Sequence, residues 1–181
     1  MSKVAVIGAA GGGKSTLCRQ LSRILSIPVF QLDKVQWLPG WKPAPSRDVD
    51  AAHDRVMAQE RWIIDGFGTP GSIQRRLDAA DTIVIVHHAA WRHYWWAFKR
   101  QIAALFRHNP DCPAGCDMQQ LWRLVFIQGI PRVRRDVMPG LIAAAQAQAD
   151  RATIYHVRSP RDFRRILADA VHSADTTIGA G

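Results

Sequence analysis

The chain has 181 residues, 48% of them hydrophobic, enough to bury one core without disulfide staples. No apolar run approaches the ~20 residues of a bilayer span. Three cysteines (Cys18, Cys112, Cys116) are too few for a disulfide framework, so a reducing, cytoplasmic setting is expected. Net charge is +9, with arginine supplying 19 of the 24 basic residues; a solvated basic surface, a polyphosphate site and a nucleic-acid surface all fit that composition.

In chain order, KVAVIG (3–8) reads as a buried strand and KSTLCRQLSRIL (14–25) as a helix with Leu17, Leu21, Ile24 and Leu25 on one face. PVFQLD (28–33) is expected as a second strand, followed by a Trp/Pro-rich loop, KVQWLPGWKPAP, whose prolines argue against regular structure. Ser46 is placed as the N-cap of a helix reaching about Glu60, with Asp48 and Asp50 in its first turn. RWIIDG (61–66) is a third strand, Ser72 the cap of a short helix, and DTIVIV (81–86) a fourth strand. A long aromatic and basic helix then spans about Ala89 to Phe106. Segments 118–129 and 131–149 are expected to be helical, with Pro131 and Pro139 as boundaries or kinks. ATIYHV (152–157) is a fifth strand, and Ser159-Pro160 opens a last helix. The organisation expected is one domain over 1–172, with a mobile lid at about 100–135 and a frayed tail at 173–181. Alternating strands and helices predict an α/β fold with a five-stranded parallel sheet between helical layers, whose ligands bind beyond the carboxyl ends of the strands.

Gly8-(x4)-Gly13-Lys14-Ser15 fulfils the P-loop pattern between a predicted strand and a predicted helix. Gly8, Gly11, Gly12 and Gly13 let consecutive backbone N–H groups curl around an anion, and the helix N-terminus adds its dipole. Lys14 is expected to reach the β- and γ-phosphates of ATP, Ser15 to place its hydroxyl on Mg²⁺, and Thr16 to complete the loop. A P-loop site needs a strand-end carboxylate for Mg²⁺; Asp65 in WIIDG is the choice over His87-His88, because imidazole suits that hard cation poorly. A turn aspartate that merely ends the strand is the plain alternative for Asp65.

Together, the P-loop reading G-x4-G-K-S-T, IIDGF on the third strand and an arginine-rich lid resemble the adenylate-kinase-related P-loop kinases. The strand-end Asp with a Trp-Pro-Gly-Trp loop (LDKVQWLPGWKP, 32–43), RWIIDG, WWAFKR and AGCDMQQLWRLVF resemble more closely the FlaR-type, or DNA topology modulation, subgroup. The resemblance covers most of residues 1–167. It implies a nucleoside-monophosphate-kinase-like three-layer sandwich with a helical lid, Mg·ATP as phosphoryl donor, Asp33 touching the acceptor, and Arg100 as a lid arginine on phosphate. Two departures stand out. Adenylate kinases read D-G-F-P-R where this chain has Asp65-Gly66-Phe67-Gly68-Thr69, and the relatives' Asp-x-Pro-Arg run is replaced by His87-His88-Ala89-Ala90.

On the acceptor side, Asp33 fits either an acceptor hydroxyl or an Asx-turn of its own loop. Trp37 and Trp41 fit stacking on a flat acceptor or, preferably, packing of a stiff loop. Arg107, Arg132, Arg134 and Arg135 flank the lid, and helical spacing cannot point all of them inward. His108, Cys112 and Cys116 lack the paired spacing of a zinc site, so packing in a loop is favoured. The aromatic helix is expected to cover the sheet rather than lie on a membrane surface. Two functions remain: an ATP-dependent kinase acting on a nucleotide or small hydroxylated acceptor, and an ATP-binding regulator of nucleic acid, which no recognisable nucleic-acid motif supports.

Overall fold

The computed structural model describes residues 1–106, 112–116 and 130–178; the side chains of 100, 101, 103–106 and 176–178 lie outside that description. Strands β1 (Lys3–Gly8), β2 (Val29–Gln31), β5 (Trp62–Asp65), β6 (Thr82–Val86) and β7 (Thr153–Val157) form one sheet in the order β2-β5-β1-β6-β7. Every neighbouring pair is parallel. The three central strands are buried along nearly their whole length, which is why they read as unbroken apolar runs rather than alternating ones.

Alternate residues feed two cores. Val4, Val6, Ile63, Val84 and Val86 pack on Leu17 and Leu21 of α1 (Lys14–Leu25) and on Ile166 and Ala170 of the last helix, α8 (Pro160–Ile178). Ala5, Ile7, Ile64, Ile83 and Ile85 pack on Val49 of α3 (Ser46–Met57), Leu77 of α4 (Pro70–Ala79), and Met138 and Leu141 of α7 (Met138–Gln146). The result is the expected α/β sandwich, with each fully buried Leu or Ile worth roughly 1.5–3 kcal/mol.

Several local expectations are corrected. The second strand stops at Gln31, and Asp33 opens a one-turn helix, α2 (Asp33–Gln36). The Trp/Pro-rich loop is not irregular throughout: β3 (Trp37–Leu38) pairs antiparallel with β4 (Lys42–Pro43). Ser46 is the first residue of α3 rather than its cap, and Pro45 precedes it with no side-chain cap bond. α4 begins earlier than expected because Thr69 caps it; Ser72 is the reciprocal member of a capping box.

α6 (Ile130–Arg132) runs through a π-helical turn (Val133–Val137) into α7. Pro139 lacks the N–H for an ordinary helical bond, and the widened turn just ahead of it keeps the helical path continuous instead of breaking it. α8 stays helical through Ile178, six residues into the stretch expected to fray. The helix expected at 118–129 and half of the lid at 100–135 lie outside the described residues.

The largest surprise is α5 (Ala90–Phe106). Its aromatic face does not cover the sheet: Trp91 is 64% exposed and Trp95 49%, while His93 and Ala97 are fully buried. Small Ala97 and flat His93 let this helix lie directly against the glycine-rich loop between β1 and α1, an approach the bulkier face would not permit. Among the described residues, no helix is long and apolar enough to cross a membrane.

Candidate active site

The loop from β1 to α1 has the backbone of an anion cradle. Gly8 has φ +151°, and a Cβ there would sit 2.3 Å from the Val86 carbonyl oxygen, so only glycine passes. Gly13 precedes α1 in the left-handed region at φ +81°, and no side chain caps that helix. Its first N–H groups are left for a ligand, at the positive end of the helix dipole. Lys14 Nζ donates to the Ala9 carbonyl at 3.2 Å, bent back along the loop.

β5 is adjacent to β1 in the sheet, which brings its last residue, Asp65, to the start of α1. Ser15 Oγ donates to Asp65 Oδ2 at 2.8 Å, while Asp65 Oδ1 is buried without a hydrogen-bond partner. Burial pushes the Asp65 pKa up; the Lys14 charge opposes this, and nearby Asp33 adds to it. A buried carboxylate with one orphaned oxygen beside a serine hydroxyl is a donor set for a hard divalent cation. Ser15 and Asp65 therefore fit Mg²⁺, which would supply charge neutralisation for a bound polyphosphate.

Asp33 lies across from this corner. The Leu32 amide donates to the Asp65 carbonyl at 2.9 Å, which ties the start of α2 to the end of β5. Gly66, at φ +113°, leaves room there: a Cβ on it would lie 3.0 Å from Leu32 Cβ and 3.5 Å from Asp33 Oδ1. Asp33 itself is exposed. Beyond it, Trp37 and Trp41 meet edge to face with ring centroids 5.9 Å apart, both half-buried.

The cysteine loop touches the same hairpin. The Gly40 amide donates to the Gly115 carbonyl at 3.0 Å, and the Cys116 thiol to the Leu38 carbonyl at 3.3 Å. Cys112 donates to the Cys116 carbonyl at 3.1 Å, and His108 lies outside the described residues. Among the described residues no group of three His, Cys, Asp or Glu could hold a metal ion. Of the lid arginines, Arg107 and the Arg100 side chain lie outside the described residues. Arg134 donates to the His88 carbonyl at 2.7 Å, and Arg135 forks onto Asp136 at 2.6 and 3.1 Å in solvent.

Sequence reasoning missed three buried polar residues. Arg76 is fully buried and donates through one nitrogen to the Gly66 and Phe67 carbonyls at 2.8 and 3.0 Å, holding the backbone that follows Asp65. His93 meets the glycine-rich loop at Ala10. His53 is buried, its Nδ1 3.7 Å from Asp54 Oδ1 and neither ring nitrogen hydrogen-bonded. Their signal was register: His53 is four residues from Val49, Arg76 three from Ile73, and His93 four from Ala97, all inward-facing positions.

Burial holds the pKa of His53, aided by Arg76, and that of His93 down at about 4, from 6.5. A depressed histidine adds stability that is complete above 6.5 and disappears as pH falls toward 4, up to about 3 kcal/mol for each ring. Asp65 works the other way, its raised pKa favouring the fold as pH falls. Urea titrations from pH 7 to 4.5 should therefore show a smaller loss of stability for His53→Leu than for the wild type, since the Asp65 contribution is common to both. Equal losses would remove His53 as an acid-labile group.

No protein-family model matches the chain, and no curated protein matches it. Solved structures do. A gluconokinase from Sinorhizobium meliloti 1021 is 15% identical, with 99% of this chain and 97% of that chain covered and a TM-score of 0.51. A shikimate kinase from Acinetobacter baumannii, in complex with shikimate, is 10% identical over 98% and 94% of the two chains, at 0.52. The YorR protein of Bacillus subtilis, in complex with phosphorylated GDP, is 10% identical over 97% of each, at 0.50. At such identities the likeness is one of fold, an α/β P-loop kinase-like fold along almost the full length of the chain.

Proposed function

We propose that this protein is an ATP-dependent phosphotransferase, using Mg·ATP as donor and passing the γ-phosphoryl group to a nucleotide or small hydroxylated acceptor beside Asp33. The observation that carries this reading is the Ser15–Asp65 contact at the mouth of an uncapped α1, with Asp33 beside Gly66 on the adjoining strand end. Phosphoryl transfer asks a protein mainly to position the reactants and neutralise charge. The loop amides and Lys14 would receive the β- and γ-phosphates; Ser15 and Asp65 would hold the magnesium. Asp33 would accept the proton or hydrogen bond of the attacking group. The Trp37–Trp41 hairpin would border the acceptor, and Arg100 would offset phosphate charge from the lid side. The FlaR-type sequence resemblance supports a phosphotransferase, and so do the kinase names of two structural neighbours.

The test is a thermal-shift screen of Mg·ATP with nucleosides, nucleoside monophosphates and small polyols, with hits assayed for phosphorylated product. Asp65→Asn is the control. Its amide still accepts from Ser15 but removes a buried charge whose raised pKa penalises the unliganded fold as pH rises. It should thus melt no lower than wild type at pH 8 and lose the magnesium-dependent part of the ATP shift. No acceptor-dependent product, together with tight duplex DNA binding at physiological salt, would favour a nucleic-acid regulator instead.

A further inference from the structure

We infer that His93 is a positioning residue of the phosphate cradle, turning the Gly11 amide toward the bound anion by holding the carbonyl on the other side of the same peptide. This deepens the proposed function and rests on it, since it assumes that the loop receives a polyphosphate.

The His93 ring Nδ1 lies 2.9 Å from the Ala10 carbonyl oxygen. A carbonyl can only accept, so Nδ1 carries the proton and donates. Among the described residues no peptide is cis, and in a trans peptide the C=O and N–H point in opposite directions. Fixing Ala10 C=O toward α5 therefore directs the Gly11 N–H away from α5. The helix backs this part of the loop closely. A Cβ on Gly11 would lie 2.5 Å from the His93 carbonyl oxygen, and one on Gly12 would lie 2.9 Å from His93 Cε1 and 2.8 Å from Val86 Cγ1. With α5 filling one side, the freed N–H faces the other, where the loop curls toward the start of α1.

An external hold matters here because the residue after the peptide is glycine. Gly11 sits at φ +74°, and a glycine tolerates either orientation of the preceding peptide at little cost. The loop alone would not keep that amide aimed. Donation into the carbonyl also polarises the peptide, which strengthens the opposite N–H as a donor. Full burial of the ring gives it a single orientation from which to do this. Neither the P-loop pattern nor any other motif in the sequence names a residue 82 positions beyond Gly11 for this role; only the packing of α5 brings it there.

The experiment is calorimetric titration with inorganic tripolyphosphate, a probe of the cradle that requires no acceptor and no turnover. Asparagine places an amide N–H near the position of Nδ1, whereas leucine keeps bulk and donates nothing. His93→Leu should bind tripolyphosphate about tenfold more weakly, as expected for one lost hydrogen bond, while His93→Asn stays within about threefold of wild type. Equal weakening by both variants would mean packing alone, and wild-type affinity in both would mean no role; either overturns the inference. Wild-type protein that fails to bind tripolyphosphate would overturn the functional reading and this inference with it. Should His93→Leu not fold, imidazole nitrogen NMR of the wild type decides: a proton on Nδ1 at pH 7 is expected, and one on Nε2 instead overturns the inference.

Discussion

Lys14→Met should lower phosphoryl-transfer turnover by roughly a hundred- to a thousandfold, the loss typical of deleting a preorganised charge at a site where negative charge develops. At pH values low enough to keep Asp65 protonated, the fold should scarcely register the change. Lys14 Nζ makes one bond of 3.2 Å to the Ala9 carbonyl, and its stem is only half-buried. Its removal has one further consequence: the Lys14 charge is the leading influence holding the Asp65 pKa down against burial. The magnesium dependence of ATP binding should therefore move to higher pH in the variant, because the Asp65 carboxylate ionises later. Steady-state turnover, melting temperature and a pH series of magnesium titrations check the three parts separately. Retention of more than about a tenth of wild-type turnover would remove Lys14 from the reaction.

Arg76→Leu should cost about 2–4 kcal/mol of folding stability, read as a lowered urea midpoint, and should weaken magnesium-dependent nucleotide binding as well. The guanidinium is completely buried and its pKa is lowered to about 10 by that burial, so it remains charged. Truncation strands the Gly66 and Phe67 carbonyls, which lose bonds of 2.8 and 3.0 Å from a charged donor. Two features moderate the loss: Arg76 Nε and Nη1 have no partner of their own, and the leucine removes a buried charge. The binding effect follows from position. Gly66 and Phe67 are the backbone immediately after Asp65, and Arg76 is also one of the positive charges favouring the ionised carboxylate. If stability falls while magnesium-dependent binding is unchanged, Arg76 holds the loop without influencing Asp65.

Much of the fold was legible because its central strands are buried on both faces and carry apolar runs, VAVI, WII and IVIV, with a polar residue only at a strand end. The cradle was legible for a related reason: a backbone that curls around an anion needs glycine at fixed spacing. What stayed hidden was chemistry that depends on packing between distant elements. Arg76 occupies an ordinary position of an amphipathic helix, and its purpose appears only where α4 meets the end of β5. His93 was concealed by its neighbours, since a helix written AWRHYWWAFKR advertises an aromatic face while the histidine and Ala97 make the actual contact. Capping was misjudged where two hydroxyls competed: Thr69 and Ser72 bond reciprocally, and the more N-terminal one sets the helix start.

The hairpin beyond Asp33 and the cysteine loop are fastened together at two points, Gly40 to Gly115 and Cys116 to Leu38, with Gly115 lying so close to Pro39 that a side chain there would collide at 2.9 Å. Under the proposed function, an acceptor bordered by Trp37 and Trp41 would meet a hairpin and a loop already tied to each other. Bulk added at Gly115, or an oxidised Cys116 no longer able to donate, would loosen that fastening, so under the proposed function acceptor selectivity would answer to residues other than Trp37 and Trp41 themselves.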